Sequence, residues 1–495
     1  MKPIYHTPAD WSLADIDQFD QHIARIAEQF KLDTYSNQLE VISAEQMIDA
    51  YASVGLPIGY YHWSFGKHFE QTRQLYASGR MGLAYELVIN SSPCIAYLME
   101  ENSLVMQVLV IAHASYGHNS FFKGNYLFRE WTDASAIVDY MVFAKSYLHK
   151  CETQYGIDAV EQLLDSCHAL MSHGVNRYHR PVPPTRDQEQ ARQAERETQL
   201  QQQVNLLWST VPDSADVRAF AEEKAKFPVE PEENLLYFIE KHSPTLESWQ
   251  REVVRIVRKI AQYFYPQKQT KVMNEGWACF WHYTIMHQLF EEKLVDDGFM
   301  LEFFDIHSRV LRQPAYDEPG FGGVNPYALG FAMMRDIKRI CEAPTEEDEH
   351  WFPQLVGSNW LSSLDFAMRN FNDESFILQY LSPQVMRDLK LFNVEDFATR
   401  DKLLVSAIHD EVGYRQIREA LAATFSAEAM EPNIQVVSVD LYGDRSLTLE
   451  HCRYRGRPMG SDTEVTMQHI QRLWGFDVKL RSLAEDGKLV RQYEV

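Results

Sequence analysis

From Trp11 to about Leu421 the apolar residues recur three and four apart, and this helical period governs most of the 495-residue chain. In "SLADIDQFDQHIARIAEQF" one stripe holds Leu13, Ile16, Phe19, Ile23, Ile26 and Phe30, and Ser12 with Asp15 is spaced as an N-terminal capping pair. Such a pattern buries itself only by packing helix on helix. The period changes near residue 400. "KLLVSAI" reads as a strand, "HDEVGYRQIREALAATF" as a helix and "IQVVSVDLYGDRSLTLEHCRY" as a hairpin, with a further helix and a last hairpin behind them. The expected fold is a mainly α N-terminal helical domain followed by a small C-terminal α+β ferredoxin-like sandwich. The helical part divides at "YHRPVPPTRDQEQARQAERETQLQQQ", where prolines precede charge and glutamine with almost nothing apolar. The expected organisation is therefore 1–180, a charged Gln-rich connector 181–203, 204–399, and the α+β part 400–495.

The formal net charge is −23, from 70 acidic against 47 basic residues, so a nucleic-acid backbone or an anionic membrane is repelled at long range. Neither is expected as a partner. No apolar stretch approaches the roughly 20 residues that span a bilayer, and the first residues lack a basic end followed by an apolar run. A cytoplasmic location is expected. The six cysteines form no CxxC pair and read as reduced, packed thiols.

The chemistry gathers in two stretches. "LVMQVLVIAHASYGHNSFF" places His113 and His118 five residues apart after an apolar run. On a regular α-helix that spacing leaves them about 140° apart, too far round to share an ion. Two local solutions would bring them together: a π-bulge absorbing the extra residue, or a helix ending near Tyr116 with a turn at Gly117. Otherwise His118 caps a helix end and His113 bonds inside the core. Compared with HExxH, one residue is inserted and the glutamate base is missing.

The second stretch is "QTKVMNEGWACFWHYTIMHQ". "NEGWA" resembles the second motif of glutamate-type zinc peptidases, whose helix supplies a third ligand; the likeness makes Glu275 that ligand and the helical domain zincin-like. His113, His118 and Glu275 would form a His₂Glu set with a coordination position left open, for zinc or for another divalent metal such as iron or manganese. His282, seven residues beyond Glu275, lies about 10.5 Å along the axis and suits an acid/base or ligand-orienting role. Cys279 falls on the same stripe between them. For the missing base Glu86 ranks first, because it interrupts an apolar face, whereas Glu100 and Glu101 read as a solvated turn.

Long phrases across the chain resemble the stage V sporulation protein R (SpoVR) family, in the version found in bacteria that do not sporulate. Among them are "YHWSFGKHFE", "LAYELVINSSPCIAYLMEEN", "AHASYGHNSFFKGNYLF", "YFYPQKQTKVMNEGWACFWH", "NPYALGFAMMRDIKRI" and "GDRSLTLEHCRYRGRPM". The resemblance implies a link to spore-cortex assembly or to stationary-phase stress physiology. It also implies two partners, a serine protein kinase-like AAA+ ATPase and an accessory protein. It implies a process and no reaction. Two readings follow: a metal-dependent hydrolase of amide or peptide bonds, or a non-catalytic regulator or scaffold for the kinase-like partner. A redox site with non-haem iron is a third.

Overall fold

A computed structural model describes residues 11–52, 59–65, 67, 69–71, 86–177, 227–315, 318, 321–395, 404–441 and 443–495. The expected connector 181–203 lies outside them. By contacts the chain forms two compact units, Met1–Glu161 with Gln262–Met430, and Gln162–Ala261 with Glu431–Val495. Each is assembled from two separated stretches of sequence.

The first unit is largely helical. Helix Leu13–Gln29 starts at the Ser12/Asp15 capping box and buries Ile16, Phe19, Ile23 and Ile26, as its stripe predicts. The helical reading did not anticipate a sheet of β1 (Asn37–Ile42), β2 (Glu86–Ile89) and β3 (Cys94–Met99) in the order β1-β3-β2, with β1 parallel and β2 antiparallel to β3. The central strand "CIAYLM" is buried at every position but Tyr97. A short apolar run of that kind has no period that separates a buried strand from a buried helix.

The histidine stretch is one continuous helical rod with three geometries: α over Leu104–Val110, π over Ile111–His118, and α again over Asn119–Gly124. Of the two local solutions, the π form is the one adopted. Every residue from Leu104 to Phe122 is buried, so this rod runs through the core and has no solvent face.

Helix Lys271–Glu291 is buried nearly as completely and is held at two close approaches. A Cβ built on Gly276 would lie 2.4 Å from Gly330 Cα of helix Pro326–Glu342, and one on Gly117 of the π-helix would lie 2.7 Å from Ala278 Cα. Both are backbone contacts that no side-chain rotation can relieve.

The N-terminus of helix Lys271–Glu291 has no local cap from Thr270. Its cap comes from Asp373, which opens helix Asp373–Tyr380 and accepts the N–H of Val272 and of Met273 at 2.8 Å each. Complete burial outweighs these N–H donors and raises the Asp373 carboxyl to about 7. Its contribution to stability is complete below the ordinary carboxylate value and is lost as pH rises through about 7. Urea midpoints should therefore fall as pH rises from the ordinary carboxylate value of 3.8 to about 7 and level off above it, and Asp373→Asn should flatten that dependence. Asp373→Ala strands two buried N–H groups and should cost about 2 kcal/mol or more.

At the end of this unit β4 (Asn393–Glu395) pairs antiparallel with β5 (Leu404–Ala407), and helix Glu411–Thr424 adds Tyr414 and Ile417 to the main core. The second unit contains a four-stranded sheet of β6 (Asn433–Val439), β7 (Leu447–Cys452), β8 (Val478–Leu483) and β9 (Leu489–Glu494) in that order. Strands β7 and β8 are parallel and joined through helix Thr463–Trp474; the outer pairs are antiparallel. Fold class is as expected, mainly helical with a small C-terminal α+β part. The sheet is a β-β-α-β-β arrangement, because the strand and helix read at 404–424 pack with the first unit. No helix among the described residues is long and apolar enough to cross a membrane.

Candidate metal centre

In a helix closed by i→i+5 hydrogen bonds, residues five apart lie about one turn from each other. The π-helix therefore does for His113 and His118 what an α-helix does for an i, i+4 pair. Their ring centroids are 4.6 Å apart and the rings nearly perpendicular. Across the Gly117–Ala278 approach, Glu275 Oε2 lies 3.6 Å from His113 Nε2 and 3.5 Å from His118 Nε2. The structure thus brings together all three residues that the sequence nominates as ligands.

These separations fit a shared ion. Ligands at about 2.0–2.1 Å around a tetrahedral cation stand about 3.3–3.4 Å from one another, whereas an N–H···O bond closes to about 2.9 Å. Glu275 Oε2 is also a buried oxygen with no hydrogen-bond partner, an arrangement that ordinarily costs about 1–3 kcal/mol or more.

The far sides of the two rings agree. A ligating Nε2 must carry a lone pair, which puts the ring proton on Nδ1. For His118, Nδ1–H then donates to Asn274 Oδ1 at 2.8 Å. For His113, Nδ1–H donates to His282 Nδ1 at 2.8 Å, which leaves the His282 proton on Nε2, donating in turn to His307 Nδ1 at 2.8 Å. One assignment satisfies every contact, and each putting of a proton outward is the arrangement that orients ligating histidines.

Charge states match as well. Burial, and then the His113 imidazole, lower His118 to about 4; burial also lowers His307 to about 4 and His282 well below its usual value. These rings are neutral at neutral pH. Burial alone would raise the Glu275 carboxyl, but the two imidazoles and the Tyr327 hydroxyl outweigh it and hold it below the usual range. The histidine side chains are 4% and 6% exposed and Glu275 17%, with its Oε2 itself buried.

His282 does not join the His113, His118 and Glu275 cluster and instead touches His113 from behind. Cys279, His282 and His113 form a second group, with one potential ligand atom from each within 4.8 Å of the others. Glu86 opens β2, opposite Leu98, and β2 packs beside the π-helix; its side chain lies outside the described residues. Glu101 takes a turn role, accepting the Ala44 N–H, and both it and Glu100 are exposed. Sequence reasoning missed His307, Tyr327 and Asp373. "NPYALGF" reads as part of a helix, "FFDIHSRV" carries no motif, and the only hint of Asp373 is the cap that Thr270 fails to supply.

Residues 10–430 match the profile described as SpoVR like protein, and residues 432–485 match the SpoVR-like C-terminal domain. The chain belongs to the SpoVR family. A relative from a bacterium that does not form spores, "Uncharacterized protein YcgB" of Escherichia coli strain K12, is 58% identical over 480 residues, which are 97% of this chain and 94% of that protein. No solved structure gives a significant match. Within this SpoVR-family chain the histidine rod, the glutamate helix and the helices that hold them all fall inside the first matched region.

Proposed function

We propose that this SpoVR-family protein is a metal-dependent, zincin-like hydrolase of amide or peptide bonds, with His113, His118 and Glu275 as the ligands and zinc as the first candidate. The observation that carries the reading is the convergence of two imidazoles and one carboxylate from two helices far apart in sequence, with Glu275 Oε2 3.6 Å from His113 Nε2 and 3.5 Å from His118 Nε2. A divalent cation held there would supply Lewis acidity toward a carbonyl and toward water. The chain's own residues would do the rest. Asn274 and His282 fix the tautomers of the ligands, and the buried walls confine the charge.

Glu86 is the base we assign to this reaction, on the ground that β2 packs beside the π-helix. Its carboxylate would take a proton from water as the oxygen adds to the amide carbon, and return it to the nitrogen as the C–N bond breaks. Glu86→Gln should lower turnover by about 10²–10⁴-fold while leaving metal content unchanged. The test of the whole reading is elemental analysis of untagged protein together with hydrolysis of peptides and cell-wall fragments. Protein without stoichiometric transition metal would end it. The cortex or stationary-phase setting of the family makes a wall-precursor amide the first substrate to try.

A second reading is supported by the last strand. β9 pairs only with β8 among the described residues and exposes Leu489 and Val490, an edge suited to strand addition by a partner. The kinase-like AAA+ ATPase and the accessory protein are the partners proposed. Exchanging the exposed Leu489 and Val490 for lysine tests it, because truncation at 400 would remove core residues Tyr414 and Ile417 and truncation at 431 would strip Gln162–Ala261 of the other half of its unit. Partner capture unaffected by those exchanges would remove this role from the sheet.

A further inference from the structure

We propose a second, softer metal position made by His113, Cys279 and His282, so that the His113 ring stands between two cation sites. It does not depend on hydrolysis. Cys279 and His282 are three residues apart on helix Lys271–Glu291 and so share a face. The two are 0% and 1% exposed and His113 3%. One potential ligand atom from each of the three lies within 4.8 Å of the others.

The nitrogens of His113 face opposite ways, Nε2 toward Glu275 at 3.6 Å and Nδ1 toward His282 at 2.8 Å. One ion cannot use both. His282 is already prepared as a ligand: its Nε2–H is committed to His307 Nδ1 at 2.8 Å, so its Nδ1 lone pair faces His113. Replacing the hydrogen bond between the two Nδ1 atoms by a cation requires them to part from 2.8 Å to about 3.3 Å, and it leaves the outer contact to His307 and its tautomer in place. The balance is simple. The cation enters and the Cys279 thiol proton leaves to solvent; the proton held between the two Nδ1 atoms leaves with it when a first cation already holds His113 Nε2, making that ring a bridging imidazolate, and moves to Nε2 when the first position is empty. Two nitrogens and one thiolate select a borderline or soft cation such as Zn²⁺, Co²⁺ or Cd²⁺ over Mg²⁺ or Ca²⁺.

Titrating the metal-free full-length chain with Co²⁺ tests the position. The expected result is two equivalents bound and a thiolate-to-cobalt charge-transfer band. Cys279→Ser and His282→Asn should each abolish the band and one equivalent, while Glu275→Gln keeps the band. A wild-type chain that binds Co²⁺ without the band, or a band of full strength in Cys279→Ser, overturns the proposal. X-ray absorption of the zinc-loaded wild type needs no variant: a sulfur neighbour at about 2.3 Å supports the site, and only nitrogen and oxygen neighbours overturn it. If Glu275→Gln keeps both equivalents, the hydrolase ligand set fails while this position stands.

Discussion

Gly276→Ala is expected to cost the first unit about 3 kcal/mol or more, at the upper end of what overpacking does. The added methyl would sit 2.4 Å from the backbone of Gly330, and no rotamer moves a backbone atom away. Helices Lys271–Glu291 and Pro326–Glu342 would have to separate. The same approach carries Asn274 and Glu275 on one helix and Tyr327 on the other, so the separation also disturbs the cluster. Urea denaturation followed by circular dichroism should show a lower midpoint, and metal content should fall in the fraction still folded. Gly322→Ala is the control, since a Cβ there has no neighbouring atom within 4 Å. A Gly276→Ala chain as stable as the wild type would mean that the two helices do not meet as described.

His118→Ala and Glu275→Gln should each remove the equivalent of metal held by the His113, His118 and Glu275 set and leave the fold intact. Each removes one of three ligands. Asn274→Ala removes only the acceptor that orients His118 and should weaken binding by about 10–100-fold, so the three variants form a graded series. Stability separates ligation from packing. A cation present at a thousand times its dissociation constant raises the wild type's unfolding free energy by about 4 kcal/mol. The part of that increment due to this ligand set should be missing from Glu275→Gln, whose metal-free stability should equal or fall slightly below the wild type's, because the imidazoles and the Tyr327 hydroxyl favour the ionised carboxylate that it removes. Thermal midpoints with and without added Zn²⁺ read both effects. An undiminished metal-dependent shift in Glu275→Gln would remove that residue from the ligand set.

Much of the cluster was legible because its signals are local. The five-residue interval between His113 and His118, inside a run too apolar to end, leaves few geometries that satisfy both the helix and a shared face, and the π-helix is one of them. Glu275 was marked by the likeness of "NEGWA" to the second motif of glutamate-type zinc peptidases. The pairing of His282 with His113 was half visible: the stripe placed it in line with Glu275, and the 2.8 Å contact made it the group that orients a ligand. The β1-β3-β2 sheet was not visible, because β3 is a short apolar run without a period of its own. Nor was Asp373 as a cap, since it is 100 and 101 residues from the N–H groups it satisfies.

The sequence by itself determined the periodic content of the chain, its acidic surface, its family and the residue types able to bind a cation, because spacing and composition act over a few residues. Tertiary structure decided which of those residues meet, which nitrogen of each ring faces the carboxylate, and how the two units divide the chain. Those outcomes depend on close packing of segments far apart in sequence, at Gly117 against Ala278 and Gly276 against Gly330, and no local pattern encodes the depth of such a contact.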